Sequence, residues 1–220
     1  MKYVFNFRDI WAQQAFLLDG IRVTLMLSVV TMACGVVIGA LVAAMRVYGD
    51  GILRGISSAY VEVIRNTPLI VQLFLVFFGL PSLGIRLDAM TASLIALAIN
   101  LGAYSAEIMR AGLEAIPRSQ IEAGHSLGLS GPQVFRHVVM LPALKVIYPA
   151  LTSQFVLMML ATSVVSQIST PDLFHVASII QSRTFRDFEI YLVVAVLYLL
   201  LALALRFAFV AIGQIAFGRR

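Results

Sequence analysis

Residues 190–205 read IYLVVAVLYLLLALAL, sixteen positions without a charge, a proline or a glycine. A helix that is apolar all round has no face to offer water and must be covered on every side, by protein or by lipid. Four more charge-free windows occur, at residues 23–45, 66–85, 89–106 and 146–171. A membrane-spanning helix needs roughly 20 mostly apolar residues, and each window meets or approaches that length. The run at 190–205 needs Arg206 within or near its end to reach it, where a long side chain can extend to the interface. Barrel strands would alternate apolar and polar residues, whereas these runs are continuously apolar. Only 12% of the chain is charged, against about a quarter in a soluble domain. The expectation is an all-α integral membrane protein, one transmembrane domain over residues 1–220. Its five transmembrane helices fall at about 21–46, 66–85, 88–112, 143–169 and 188–213.

The net charge is +5. In a soluble protein this would point to nucleic acid. Here the basic residues sit in short segments between apolar runs, which suits lipid headgroups and gives no reason to expect a nucleic-acid partner. Cys34, the single cysteine, lies inside an apolar run and reads as a packing residue. His125, His137 and His175 have no metal-ligand spacing, so no metal site is expected. No signal peptide is expected either, because the apolar stretches of the first twenty residues are too short. Phe5, Ile10, Phe16 and Leu17 instead read as one side of a short interfacial helix, with a partly ordered tail as the alternative.

Lysine and arginine set the orientation. With five spans, ten basic residues fall on one side (Arg46, Arg54, Arg65, Arg110, Arg118, Arg136, Lys145, Arg206, Arg219, Arg220). Six fall on the other (Lys2, Arg8, Arg22, Arg86, Arg183, Arg186). The positive-inside rule then puts the C-terminus and the 107–145 loop in the cytoplasm, with the N-terminus outside.

Local signals refine this reading. Thr67 before Pro68 reads as an N-cap with proline at the first helical position. Thr170 before Pro171 repeats the pattern and starts a short helix between spans four and five. Gly35 and Gly39 form a GxxxG pair that permits close helix approach.

The polar segment 107–145 carries the most information. Glu107 and Arg110, then Glu114 and Arg118, are spaced to share a helix face. After Pro117, Ser119 and Glu122 have capping-box spacing. Gly128 can close that short helix in the left-handed conformation. Ser130 then caps a second helix, with Pro132 in its first turn, an apolar face of Val134, Phe135 and Val138, and Pro142 at the start of the fourth span. Residues 118–142 thus read as helix, glycine turn, helix on the cytoplasmic face.

Here the chain resembles a family. Glu122-Ala123-Gly124, three residues, Gly128, then Leu141-Pro142 is similar to the EAA loop of ABC importer membrane subunits. That pattern runs Glu-Ala-Ala, three residues, Gly, nine residues, Ile, any residue, Leu-Pro. Gly124 departs from it, and Leu141-Pro142 falls one residue late. The blocks YVEVIRNTPLIVQLFLVFFGLP (60–81), AYSAEIMRAGLEAIPRSQIEAG (103–124) and LLDGIRVTLMLSV (17–29) resemble the polar amino acid uptake branch. Together they cover most of residues 17–205.

The resemblance implies a permease subunit, not an enzyme, of an ATP-driven importer that moves polar amino acids by alternating access. Glu122, Ala123, Gly124, Leu127, Gly128 and Leu129 would form the surface that docks on a separate ATPase. The chain itself has only Lys2 and Lys145 and no phosphate-binding loop around either, so it needs no cofactor of its own and ATP is used by the partner. Implied partners are a dimer of ATP-binding subunits, a second permease subunit (identical or homologous), and an extracytoplasmic solute-binding protein meeting residues near 169–188. Arg136 and Lys145 could pair with acidic ATPase residues or with lipid phosphates. Polar residues within spans usually face protein or water. Asn100, Tyr104 and Glu107 share one face of span three, and Thr152, Ser163, Ser166 and Gln167 approximately one face of span four. The candidate path residues are therefore Gln72, Asn100, Tyr104, Ser163 and Gln167, each equally able to serve only as an interhelical hydrogen bond. The alternatives are a secondary transporter or channel without an ATPase, and an intramembrane enzyme, for which no nucleophile and base pair is evident.

Overall fold

The structure, a computed structural model, describes residues 5–218; Lys2, Arg219 and Arg220, counted above for orientation, lie outside them. Among the described residues there are helices and no strands. In chain order these are α1 (Arg8–Trp11), α2 (Gln14–Tyr48), α3 (Gly51–Arg65), α4 (Leu69–Phe74), α5 (Ala89–Glu114), α6 (Arg118–Ser126), α7 (Gly131–Val134), α8 (Met140–Ala161), α9 (Leu173–Thr184) and α10 (Asp187–Phe217). Four uninterrupted helical runs, Gln14–Tyr48, Ala89–Glu114, Gly131–Ile168 and Asp187–Phe217, are long and apolar enough to cross a membrane. A bent pair, Gly51–Arg65 with Leu69–Leu83, meets at 107° and is either a broken span, which would make a fifth crossing, or a re-entrant loop.

The two helices at the centre, α2 and α5, touch through glycine. A Cβ built on Gly39 would lie 2.5 Å from Ser105 Cβ, and one on Gly35 would lie 2.7 Å from Leu101 Cγ. The GxxxG pair therefore does seat a neighbouring helix. Gly102 answers from the other side, where a Cβ would meet Ile38 Cγ2 at 2.5 Å. Around this seam Leu27, Leu73, Leu97, Leu101, Met158, Met159 and Val165 form the main buried core. A second cluster closes one end: Ile10, Leu17, Leu173, Val176, Ile180, Ile190 and Val194. Of the proposed N-terminal apolar side, Ile10 and Leu17 are buried there, Phe16 packs against the cluster, and Phe5 is exposed beside Phe7 and Phe188.

The charge-free window 66–85 is not one straight helix. It starts at Leu69, passes through a π-turn at Leu75–Gly79 and ends in a 3₁₀ turn at Leu80–Leu83. Thr67 does not cap it. Its hydroxyl donates backwards to the carbonyl of Val63 at 2.8 Å, closing α3, and Pro68 occupies the cap position without a side-chain bond. The preceding α3 escapes a search for charge-free runs because it carries Arg54, Glu62 and Arg65. Its apolar side was nevertheless written at helical spacing, as Ile52, Ile56 and Val63.

The other cap expectations fare differently. Asp172, not Thr170, caps α9, accepting from the His175 N–H at 2.9 Å. The Thr170 hydroxyl is instead shared with Ser93 at 2.8 Å and donates to the Ala89 carbonyl at 3.2 Å, tying the end of the fourth span to the start of α5. Ser119 is not a cap, since α6 begins one residue earlier with Pro117 before it and no side-chain cap. Ser130 is one. It and Gln133 form the reciprocal capping box.

Candidate coupling surface and polar path

Two short helices, α6 and α7, make a compact knob at one end of the bundle. α6 ends in a Schellman turn: the Leu129 N–H reaches the Gly124 carbonyl at 3.2 Å and the Gly128 N–H reaches His125 at 2.9 Å. This requires Gly128 in the left-handed region, at φ 78°. The turn folds α7 back onto α6. There a Cβ on Gly124 would stand 3.1 Å from Val134 Cγ2 and 3.3 Å from Val138 Cγ2. Glycine where the pattern has alanine thus belongs to a closer packing of α6 on α7. Glu122 and Ala123 are exposed. Leu127 is 82% exposed, a large apolar side chain held outward beside the turn.

The knob is fastened rather than tethered. Ile116, Val134, Val139, Ala143 and Ile147 are buried together, with Ile108, Leu113, Ile121 and Leu129 packed on them. This cluster joins the knob to both α5 and α8. The exposed face is therefore held to both spans by close packing, the kind of contact that transmits strain. Phe135 is not part of that buried face. It is exposed and meets the Tyr48 ring edge-on at 6.2 Å.

Between α7 and α8 the helix widens into a π-turn, Phe135–Val139. A π-turn accommodates one extra residue in an otherwise continuous α-helix. The motif's Leu141-Pro142 falls one residue late, and the turn lies in the interval where the count slips. Pro142 does not begin the span; the helix runs without a break from Gly131 to Ile168.

Beside the knob lies a charge lattice. Glu107 Oε2 accepts from Arg46 Nη1 at 2.5 Å and Oε1 from Arg110 Nη2 at 2.5 Å, while Arg110 also pairs with Glu114. The Arg46–Glu107 pair bridges α2 and α5, the other two lie within α5, and both Arg46 and Glu107 are largely covered. Above the lattice is a cavity of about 290 Å³ lined by Arg46, Glu62, Arg65, Asn66, Tyr104 and Glu107. The Arg65 guanidinium stands 5.3 Å from the Tyr104 ring centre, within cation–π range.

Of the five path residues, the structure brings Gln72 and Asn100 together. Both are buried, and Asn100 Nδ2 donates to Gln72 Oε1 at 3.0 Å. Gln72 Nε2 is within reach of the Ile64 carbonyl, the Thr67 carbonyl and the Thr67 hydroxyl at 2.8, 3.1 and 2.8 Å. Tyr104 is half-buried one turn along α5, on the cavity wall. Ser163 and Gln167 lie on the 3₁₀ segment Thr162–Ile168 and stand apart. Ser163 is half-buried and donates to the Leu160 carbonyl, and Gln167 is exposed near Ser166. Among the described residues no hydrogen bond joins either to Gln72, Asn100 or Tyr104. The buried members of that segment are Thr162, Val165 and Ile168. Sequence reasoning missed Arg46 and Arg65, whose loop-edge positions gave no sign of a shared cavity, and Tyr60, whose hydroxyl binds the Ile99 carbonyl at 2.6 Å.

Residues 35–214 match the family described as binding-protein-dependent transport system inner membrane component. The chain belongs to this family. It is 37% identical over 188 residues to the probable glutamine ABC transporter permease protein GlnM of Bacillus subtilis, covering 86% of this chain and 87% of that one. It is 36% identical over 205 residues to the glutamine transport system permease protein GlnP of Escherichia coli K12, covering 92% and 94%. Among solved structures, one described as an amino acid ABC transporter with histidines superposes with TM-score 0.91 at 36% identity, over 96% of this chain and 99% of that one. The inward-facing MetNI methionine ABC transporter superposes with TM-score 0.77 at 21% identity, over 93% and 97%, and shares the fold. The helical membrane fold expected from the sequence is the family's fold, and the chain is a membrane-spanning component of a transport system.

Proposed function

We propose that this chain is the permease subunit of an ATP-driven importer of neutral polar amino acids, working by alternating access. It is a permease and not an enzyme. The observation that carries the reading is the α6–Gly128–α7 knob, exposed at Leu127 and fastened through Ile116, Val134 and Ala143 to α5 and α8, in a chain of this family. Glu122, Ala123, Leu127 and Gly128 present the surface on which a dimer of cytoplasmic ATP-binding subunits docks, with Gly124 and Leu129 packed behind it. Closure of that dimer on ATP moves the knob, and the packed cluster passes the motion to the spans.

Five crossings follow, the second made by the α3–α4 elbow. The membrane is the bacterial inner membrane, with the N-terminus outside and the C-terminus and knob in the cytoplasm. A second permease subunit completes the path, and an extracytoplasmic solute-binding protein delivers substrate near residues 169–188. Gln72, Asn100, Tyr104, Ser163 and Gln167 are the path residues. All are uncharged, which favours a neutral polar substrate, and the relatives named for glutamine agree with an amide side chain.

Co-purification tests this directly. Tagged wild-type chain, expressed in its native cells, retains an ATP-binding subunit in mild detergent, and Leu127→Asp loses it while still extracting as a folded membrane protein. Retention of the ATPase by Leu127→Asp at wild-type stoichiometry would remove the docking role from this surface.

A further inference from the structure

A groove of about 940 Å³ runs between α8 and α10. Its walls are the first half of α8, from Lys145, and the last part of α10, from Arg206 to Gly218. Both segments lie at the end of the bundle that carries the knob, since α8 continues directly from α7. The groove is held in shape from within. Tyr148 donates to the Phe209 carbonyl at 2.6 Å, lies over Gly213 where a Cβ would meet its ring at 2.8 Å, and packs edge-on against Phe217 at 5.3 Å.

The charge in the groove is all of one sign. Lys145 and Arg206 line it, and among the described residues no carboxylate does. Among the described residues neither cation takes part in an ion pair. Arg206 is the more telling. It is the one charged residue of α10 after Glu189, within a helix that is otherwise apolar, and it is exposed. A charged side chain in a span is costly and is normally matched by an opposite charge, a polar cavity or the interface. Glu107 supplies that match for Arg46 and Arg110, but among the described residues no carboxylate does so for Arg206.

We propose that the α8–α10 groove binds an anionic phospholipid, its headgroup drawn to the basic side chains Lys145 and Arg206 and an acyl chain lying along Val156 and Leu157. Basic pockets between spans on the cytoplasmic side hold anionic headgroups in this way, and the positive-inside orientation proposed above puts the groove in the leaflet where they are met. A phosphate accepts from a guanidinium in two places at once, so Arg206 carries the larger share. The inference rests on the orientation but not on the ATPase coupling, so the two can fail separately.

The test is native mass spectrometry of the purified full-length chain, titrated with phosphatidylglycerol and, in parallel, with phosphatidylcholine of the same acyl composition. Wild type retains phosphatidylglycerol preferentially. Arg206→Gln weakens that retention at least fivefold, Lys145→Gln less, and Arg206→Lys preserves most of it, which separates loss of charge from misfolding. Equal retention of the two lipids by wild type overturns the proposal, as does unchanged phosphatidylglycerol binding in the double variant. If the glutamine variants instead lose self-association with lipid binding intact, the groove is a seam between permease copies and the proposal is wrong.

Discussion

Asn100 on α5 and Gln72 on α4 share a single buried hydrogen bond, 3.0 Å from amide nitrogen to amide oxygen. Gln72 uses its own nitrogen on the elbow that joins α3 to α4, so one side chain fixes the angle of the broken span and its position against α5. A polar group buried without a partner costs about 1–3 kcal/mol.

The asymmetry of that bond gives the first prediction. Gln72→Leu strands both Asn100 and the elbow carbonyls, whereas Asn100→Leu strands one oxygen. Gln72→Leu should lower stability in detergent by about 1–3 kcal/mol and Asn100→Leu by less. In a double-mutant cycle followed by thermal unfolding, the coupling between them should be of the order of 1 kcal/mol, as for other hydrogen bonds between spans. Additive effects would mean the two side chains do not depend on each other.

Glycine at the α2–α5 seam supplies a second. Gly39→Ala places a methyl carbon 2.5 Å from Ser105 Cβ, with backbone close behind. Overpacking of this kind costs about 1–3 kcal/mol. Gly55 in α3 meets nothing within 4 Å, so Gly55→Ala should be neutral or stabilise by roughly 0.5–1 kcal/mol. Melting temperatures of the two alanine variants, measured side by side, should move in opposite directions.

The charge lattice behaves as a unit around Glu107. Glu107→Gln removes the anion that two guanidinium groups share, while Arg46→Gln leaves the Glu107–Arg110 pair intact. The glutamate variant should be the more damaging, by about 1–3 kcal/mol. Because both partners are mostly covered, the difference should survive in 0.5 M salt, where exposed pairs are screened. Equal losses, or disappearance of both in salt, would place the lattice among ordinary surface pairs.

Asp172 is fully buried at the start of α9, where burial pushes its carboxyl upward against the His175 N–H and the Tyr198 hydroxyl that hold the anion. Its raised value means the native state holds the proton more tightly than the unfolded chain. Its contribution to stability is therefore fully present below the unfolded carboxylate range and is lost as the pH rises from there through the raised native value. Asparagine keeps a cap acceptor without a charge to desolvate. Asp172→Asn should change stability by less than about 1 kcal/mol, and Asp172→Ala should lose about 1–2 kcal/mol, both read from thermal unfolding at pH 7.

The parts of this fold that announced themselves in the sequence are those where one residue's chemistry decides the conformation. Gly128 had to be left-handed and is, Ser130 and Gln133 had the reciprocal spacing and pair, and Gly35 and Gly39 offered a groove that α5 fills. The parts that stayed hidden are those where two legitimate partners compete for one group. Thr67 could cap forward or close backward, and the free carbonyls at the end of α3 drew it back. Thr170 could cap α9, but Ser93 and Ala89 across the bundle took its hydroxyl and left the task to Asp172. The proposed path residues could be brought together only in part, because α5's polar stripe says nothing about the register of the facing spans. That register puts Gln72 on Asn100 and leaves Ser163 and Gln167 elsewhere. The late Leu141-Pro142 was visible as a miscount, and the π-turn that absorbs it could not be read from a linear pattern.

The central claim is that motion enters this chain through the α6–α7 knob. The direct test is ATP-dependent uptake of labelled amino acid into proteoliposomes holding the full assembly, with Gly128→Val against wild type. A β-branched residue at φ 78° opens the Schellman turn, without touching the spans or the path. The account predicts that the variant assembles and keeps its helical content but loses most of its uptake, while Gly128→Asn, which tolerates the left-handed region, retains most of it. Wild-type uptake by Gly128→Val, or uptake by the permease with no ATP-binding subunit present, would contradict it.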